Sequence, residues 1–123
     1  MSAVLSVAAV FVGGFFGGLG RWAFSRWPGG RPGTFAANVV ACLVLGFAAG
    51  SGEVWSWAPL LVGVGFAAAL STWSTLAREL ADLVLARRWG VFARYVALTV
   101  AVGVIAAHRG VVWAGRVWDN WSF

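Results

Sequence analysis

Long apolar runs alternate with short polar or glycine-rich connections along the whole chain. A helix needs roughly 20 mostly apolar residues to cross a bilayer, and four stretches fit, at about residues 3–24, 34–50, 60–85 and 91–107. The intervening segments "SRWPGGRPG" and "ARRWG" have the glycines, prolines or arginines of turns. We therefore predict one all-α integral membrane domain of four transmembrane helices, occupying residues 1–123.

The composition supports a membrane protein. The chain is 61% hydrophobic and 11% charged, whereas soluble domains carry about 25% charged residues. A soluble chain of this length cannot bury so much apolar surface in one core, which argues against an ordinary soluble enzyme. The N-terminus lacks the basic region of a signal peptide, so we expect it to be a retained first span. Every tryptophan except Trp73 lies near a predicted span end or in a connection, as in the aromatic belts of membrane proteins.

The charge pattern predicts an orientation. The formal net charge is +5, and every basic residue apart from one histidine is arginine. In a membrane chain such a balance indicates topology rather than nucleic-acid binding. The side of the first and third connections holds most of them: Arg21, Arg26, Arg31, Arg87, Arg88 and Arg94, with Arg78 nearby. The other side has Arg109 and Arg116. The positive-inside rule then predicts a multi-pass protein of the cell membrane with both termini outside.

The third span contains an unusual group of hydroxyls, Ser71, Thr72, Ser74 and Thr75, in "GFAAALSTWSTLARE". The helix from residue 60 to residue 70 would reach about 16 Å, or half the hydrocarbon core. Serine and threonine compete with helical hydrogen bonds, and a broken helix there would expose carbonyls able to hold a cation. The alternative is that the hydroxyls bond within an unbroken helix or across a helix contact. This segment alone favours that alternative.

Three further polar residues lie inside apolar spans. Asn38 is an uncharged amide about one turn into the second span, where it serves either a helix contact or an ion pathway. Tyr95 and Thr99 are one turn apart on the fourth span, so they share a helix face. Glu79 and Asp82 lie near the end of the third span. For these two carboxylates we expect structural pairing with nearby arginines.

Glycines in the first span favour close helix packing. The pairs Gly13–Gly17 and Gly14–Gly18 each have the small-xxx-small spacing that lets backbones approach. The sequence contains no recognisable catalytic motif. Cys42 and His108 are the single cysteine and histidine of the chain, and no triad or pair of intramembrane carboxylates occurs.

Taken together, "GGFFGGLGRW", "GTFAANVVACLVLGF", "GFAAALSTWSTLARE" and "RYVALTVAVG" resemble the CrcB (Fluc) family of fluoride channels in order and spacing. The resemblance covers nearly the whole chain and favours a break near the midplane of the third helix. It implies an antiparallel dimer with two fluoride pores at the subunit interface, which relieves cytoplasmic fluoride toxicity passively. It also implies a structural, untransported sodium ion at the dimer centre. The family's sodium-binding carbonyls correspond to Ala68, where the family has glycine, and Ser71.

The resemblance also assigns an ion pathway. The matching positions are Asn38, Thr72, Ser74, Thr75, Tyr95 and Thr99, together with Trp73 and Leu76 at two positions where the family has phenylalanine. Neutral donors suit a small, tightly hydrated anion, because they replace water without trapping the ion. A leucine offers neither a positive ring edge nor a donor, so we expect a pore lined by this subunit to be impaired.

Three alternatives follow from these departures. A chain with a strong arginine bias inserts one way, so we expect an antiparallel heterodimer with a homologous partner of opposite orientation rather than a homodimer. The subunit is alternatively a non-conducting partner in such a channel. A small proton-coupled multidrug exporter is the third possibility, but exporters of that kind need a carboxylate in the first span, and residues 3–24 contain none.

Overall fold

The computed structural model describes residues 2–52, 57, 59–71 and 73–121, with the backbone alone for 120 and 121. Its elements are helical throughout. Helix α1 spans Ala3–Arg26 and α2 spans Gly30–Gly50; a π-helix, Pro59–Ala67, continues into α3, Ala68–Leu70; α4 spans Trp73–Leu85 and α5 spans Trp89–Trp121. Four helical segments, Ala3–Arg26, Gly30–Gly50, Pro59–Leu85 and Trp89–Asp119, are long and apolar enough to cross a membrane.

The turns at the arginine-rich end use left-handed backbone. Gly29 and Gly30 have φ of 68° and 59° between α1 and α2, a conformation that glycine adopts without steric penalty. Arg87 has φ of 56° after α4, where the Arg88 amide donates to the Leu83 carbonyl and the Arg87 amide donates to the Val84 carbonyl. This pair of bonds closes the helix end as a Schellman motif.

The predicted break in the third span is confirmed. Helix α3 ends at Leu70, and Ser71 is extended, with φ of −66° and ψ of 150°. The π-helix of 9 residues and α3 of 3 residues precede the break, while α4 of 13 residues follows it. The interruption therefore divides the third span near its middle. The Ser71 amide still donates to the Ala67 carbonyl at 3.0 Å, so the regular bonding stops at this residue.

Glycines allow α1 and the π-helix to touch backbone to backbone. A Cβ at Gly13 would overlap the Leu61 carbonyl oxygen, and one at Gly17 would overlap the Phe66 carbonyl oxygen. A Cβ at Gly18, by contrast, would meet nothing within 4 Å. The pair Gly13–Gly17 thus forms the contact within the chain. Of the predicted second pair, Gly14 lies at the edge of this contact, where an added Cβ would be 4.0 Å from the Gly65 carbonyl oxygen, and Gly18 lies on a face left open.

A second close contact joins α2 and α5, which run parallel. A Cβ at Gly46 would overlap the Ala107 carbonyl oxygen, and one at Gly50 would come within 2.8 Å of the Ala114 Cβ. Gly110 meets the carbonyl of Leu43 in the same way. The small residues at i, i+4 spacing on both helices fix their register, since no larger side chain fits between them.

The fourth helix is longer than the predicted span of 91–107. Helix α5 has 33 residues, about 50 Å at 1.5 Å per residue, which exceeds the hydrocarbon core of roughly 30 Å. The residues from 108 to 121, which follow the predicted span, continue this helix. They stay helical because Gly110 and Ala114 extend the contact with α2 beyond Ala107.

A hydrogen-bonded pair joins the far ends of α2 and α5. The Trp118 Nε1–H donates to the Ser51 Oγ at 2.8 Å, and this hydroxyl donates to the Phe47 carbonyl, also at 2.8 Å. Ser51 is only 2% exposed. Its hydroxyl therefore both donates and accepts a hydrogen bond, and the Trp118 side chain covers this end of the α2–α5 pair.

Candidate ion pathway

Glu79 connects three helices through its carboxylate. The Thr34 hydroxyl on α2 donates to Oε1 at 2.5 Å, and the Tyr95 hydroxyl on α5 donates to Oε2 at 2.6 Å. Thr34 and Tyr95 are 6% and 8% exposed. Hydrogen bonds to an ionised acceptor are short and strong, so the carboxylate holds both hydroxyls in fixed positions at the arginine-rich end of the bundle.

The local sequence of α4 explains the position of Glu79. Leu76 and Leu83 are buried in one cluster with Tyr95, and Leu80 packs against them. Residues at i, i+3 and i+7 share a helix face, so Glu79 lies on the same face as the two leucines and projects toward α2 and α5. The expected pairing of Glu79 with nearby arginines is wrong.

The register between α2 and α5 places their polar residues at matching levels. Cys42 lies opposite Gly103, whose Cβ would come within 3.4 Å of its Sγ, and Gly46 lies opposite Ala107. The same offset brings Asn38 level with Thr99, one turn above the level of Thr34 and Tyr95. A column of polar side chains therefore runs between two otherwise apolar helices.

Thr99 is the residue of this column whose hydrogen-bonding capacity is left unused. Its Oγ1 is buried and has no hydrogen-bond partner among the described residues. A buried hydroxyl without a partner is costly, so such groups are rare unless a ligand or water completes them. Thr99 can thus donate to a small species that passes along the column.

A small cavity lies beside Thr34, one turn from the level of Thr99. Its volume is about 40 Å³, and Arg21, Ser25, Thr34 and Thr75 contribute polar groups to its wall. This is room for a water-sized species, because a water needs at least about 10–15 Å³ of such space. Thr34 therefore faces both this cavity and Glu79.

The chain matches known proteins over most of its length. Residues 8–111 match the family model described as CrcB-like protein, Camphor Resistance (CrcB). The chain is 41% identical over 112 residues to a Corynebacterium diphtheriae protein named fluoride-specific ion channel FluC 2, covering 89% of this chain and 96% of that protein.

The chain belongs to the CrcB family. A Geobacillus kaustophilus protein named fluoride-specific ion channel FluC 1 is 40% identical over 106 residues, which cover 82% of this chain and 90% of that protein. A Mycobacterium bovis protein named fluoride-specific ion channel FluC 1 is 33% identical over 125 residues, with 90% and 91% covered. The expected family membership is therefore confirmed.

The residues predicted to line the ion pathway fall into two groups in this fold. Asn38, Thr75, Leu76, Tyr95 and Thr99 are partly or fully buried within the subunit. Trp73 is 81% exposed, and Ser74 is exposed beside it. Thr72 lies outside the described residues. The first group forms the column and its surroundings, whereas the exposed pair faces away from the chain's own helices.

The two residues predicted to bind sodium, Ala68 and Ser71, lie at the break. Ala68 and Ser71 line a cavity of about 370 Å³ together with Cys42 and Gly63. No group of three or more histidine, cysteine, aspartate or glutamate residues that could hold a metal occurs among the described residues. Backbone oxygens remain the predicted ligands at these two positions, and a helix end leaves its last carbonyls without intrahelical donors.

Glu79 is the member of this hydrogen-bonded group whose position sequence reasoning missed. Its neighbours in the sequence include Arg78, which made pairing the simpler expectation. The signal that could have identified it is the apolar spacing of Leu76, Leu80 and Leu83, which puts position 79 on the inner face of α4.

Proposed function

We propose that this chain is a subunit of a fluoride-selective channel in the cell membrane that lets fluoride leave the cytoplasm passively. The observation that carries the proposal is the buried Thr99 hydroxyl of the column, which has no hydrogen-bond partner among the described residues. The chain is also 41% identical to a protein named as a fluoride-specific ion channel. The proposed activity is transport down a gradient, so the protein is a channel rather than an enzyme.

The column supplies donors in sequence. Fluoride is small and strongly hydrated, so hydrogen-bond donors must replace its water along the path. The Asn38 amide and the Thr99 hydroxyl provide neutral donors at one level, and the Tyr95 hydroxyl provides another at the next level. At the level of Tyr95, Glu79 already accepts from Tyr95 and Thr34, so an anion arriving there competes with the carboxylate for these two hydroxyls.

The arginine distribution supports an orientation in which the arginine-rich end faces the cytoplasm and fluoride enters the channel there. Arg31, Arg78 and Arg88 line a cavity of about 440 Å³ that Glu79 also lines. Clustered cationic groups raise the local concentration of anions. By the positive-inside rule this end faces the cytoplasm and both termini lie outside.

An antiparallel partner of homologous sequence completes the channel. Trp73 is 81% exposed at the break, and Gly18 lies on an open face of α1. A second subunit packed on this side would cover the exposed Trp73 side chain. The strong arginine bias orients each copy of this chain alike. The partner is therefore a homologue with the opposite bias, which forms a heterodimer.

A structural sodium ion at the dimer centre is compatible with the local backbone. The positive-φ residues among those described are Arg87, Gly29 and Gly30, so Ala68 adopts no backbone conformation that would require glycine. The carbonyls of Ala68 and Ser71 would hold the ion. Replacing sodium by N-methylglucamine should lower the melting midpoint of the dimer, and an unchanged midpoint would contradict a sodium site.

A non-conducting subunit is the second candidate function. Leu76 stands at a position where the family has phenylalanine, and it is 7% exposed within the subunit's own core. It offers no donor to an anion. In this alternative the chain stabilises a partner whose own residues conduct.

A fluoride-electrode efflux assay tests the proposal. Liposomes loaded with potassium fluoride should release it when they contain this chain coexpressed with a homologue of inverted arginine bias, and much less with this chain alone. The non-conducting role would be favoured if Thr99→Val in this chain leaves efflux through the heterodimer unchanged, whereas the matching change in the partner abolishes it. No efflux from either preparation would refute the channel.

A further inference from the structure

The cavity at the arginine-rich end is larger than a monatomic ion requires. Its volume of about 440 Å³ is many times the roughly 30 Å³ that one water occupies in the liquid. It lies between the start of α2 and the end of α4, with Arg31 on one side and Arg78 and Arg88 on the other. Leu83 and Ala86 form an apolar part of the wall.

The charges in this cavity favour an added anion. Two carboxylates, Glu79 and Asp82, line it with the three arginines. Both oxygens of Glu79 accept hydrogen bonds from Tyr95 and Thr34. None of the three guanidiniums forms an ion pair within the part of the chain that the structure describes. The cavity therefore holds three planar donors whose charge is not matched by a bonded acceptor.

We propose that this cavity binds a phosphate group, as carried by the headgroup of an anionic phospholipid. A guanidinium presents its N–H groups in a fork that matches two phosphate oxygens, and arginines on two elements can grip the group from both sides. Basic pockets between transmembrane helices on the cytoplasmic side suit lipid phosphates. The apolar wall at Leu83 and Ala86 accommodates the glycerol that follows the phosphate.

The cavity connects this site to the channel entrance. Glu79 lines the cavity and also holds Tyr95 and Thr34. A phosphate bound between Arg31 and Arg88 occupies the space in front of that carboxylate. Bound phosphate thus reduces the access of smaller anions to the column.

Binding can be measured without fluoride, so its result is separate from that of the proposed conduction. The purified protein in neutral detergent is titrated with dihexanoyl phosphatidylglycerol, dihexanoyl phosphatidylcholine or inorganic phosphate, with sodium chloride at matched ionic strength. The shift in melting midpoint gives the apparent affinity. The Arg31→Gln/Arg88→Gln variant should bind roughly 30-fold more weakly, equivalent to about 1 kcal/mol for each guanidinium removed.

Two further variants control for charge and folding. Arg109→Gln/Arg116→Gln removes the same charge at the opposite end and should keep wild-type affinity. Arg31→Lys/Arg88→Lys keeps the charge but loses the fork, and should bind several-fold more weakly than the wild type. A shift with phosphatidylglycerol alone identifies a lipid source, and an equal shift with inorganic phosphate identifies free phosphate. The proposed site is overturned if neither phosphatidylglycerol nor inorganic phosphate shifts the melting midpoint. It is also overturned if the Arg31→Gln/Arg88→Gln variant shows the same shift as the wild type.

Discussion

The Tyr95 hydroxyl donates a 2.6 Å hydrogen bond to Glu79, which joins α5 to α4 inside the bundle. The second oxygen of the same carboxylate accepts from Thr34 on α2. One acidic side chain thereby fixes the spacing of three helices at the arginine-rich mouth of the proposed pathway. The position of the donors that an entering anion meets depends on this carboxylate.

Replacing Glu79 by glutamine should weaken both the fold and the proposed conduction. The amide keeps one acceptor oxygen, so only one of the Tyr95 and Thr34 hydroxyls keeps its acceptor on this side chain. A lost charged hydrogen bond at a buried site costs about 1–3 kcal/mol, and we expect fluoride efflux to fall roughly tenfold. Thermal unfolding in detergent and electrode-measured efflux give the two values.

The matched control for that change is Asp82→Asn, which removes the same charge on an exposed surface of α4. It should leave the free energy of unfolding within about 0.5 kcal/mol of wild type. Equal destabilisation by the two variants would show that Glu79 acts through general charge rather than through its two bonds.

Thr99→Val should separate folding from transport. The hydroxyl has no partner among the described residues, so its removal should leave stability unchanged or raise it by up to about 1 kcal/mol. Fluoride efflux should decrease, because a donor is lost from the column. Thr99→Ser keeps the hydroxyl and should retain most of the efflux; full efflux from the valine variant would exclude Thr99 from the pathway.

Gly17→Ala should destabilise the protein, and Gly18→Ala should not. A methyl group at Gly17 overlaps the Phe66 carbonyl oxygen, whereas one at Gly18 meets nothing within 4 Å. Forcing the helices apart costs about 1–3 kcal/mol. Thermal unfolding of the two variants measures the difference, and equal midpoints would contradict the contact between α1 and the π-helix.

The far end of α2 and α5 offers a double-mutant test. Ser51→Ala and Trp118→Phe each remove the hydrogen bond between the two side chains. Each should cost about 1 kcal/mol, and the double variant should lose less than the sum of the single losses. Trp113→Phe, on an exposed surface of α5, serves as the control. Additive losses would mean that the two residues act independently.

The sequence predicts the four spans because membrane helices need long apolar runs. The break at Ser71 is predicted only through the family resemblance, because the hydroxyl residues alone favour an unbroken helix. The length of α5 is harder to predict from the sequence. Arg109 and Arg116 end the apolar run, but Gly110 and Ala114 keep the helix packed against α2. Tertiary contact decides that extension. Sequence composition alone therefore places its end too early.

The polar column is only partly visible in the sequence. Asn38, Tyr95 and Thr99 stand out as polar residues in apolar spans, whereas Glu79 sits among charges that hide its role. Its partner Thr34 is 45 residues away in the chain. The register of α2 against α5, fixed by Gly46 and Gly110, brings these groups together, and no local pattern encodes that register directly.

The most direct measurement of fluoride selectivity is a planar-bilayer recording of this chain coexpressed with an inverted homologue. Under opposing gradients of fluoride and chloride, the reversal potential should follow fluoride, and Thr99→Val should reduce the current. A current that follows chloride equally, or no current above that of a protein-free bilayer, would contradict a fluoride-selective channel.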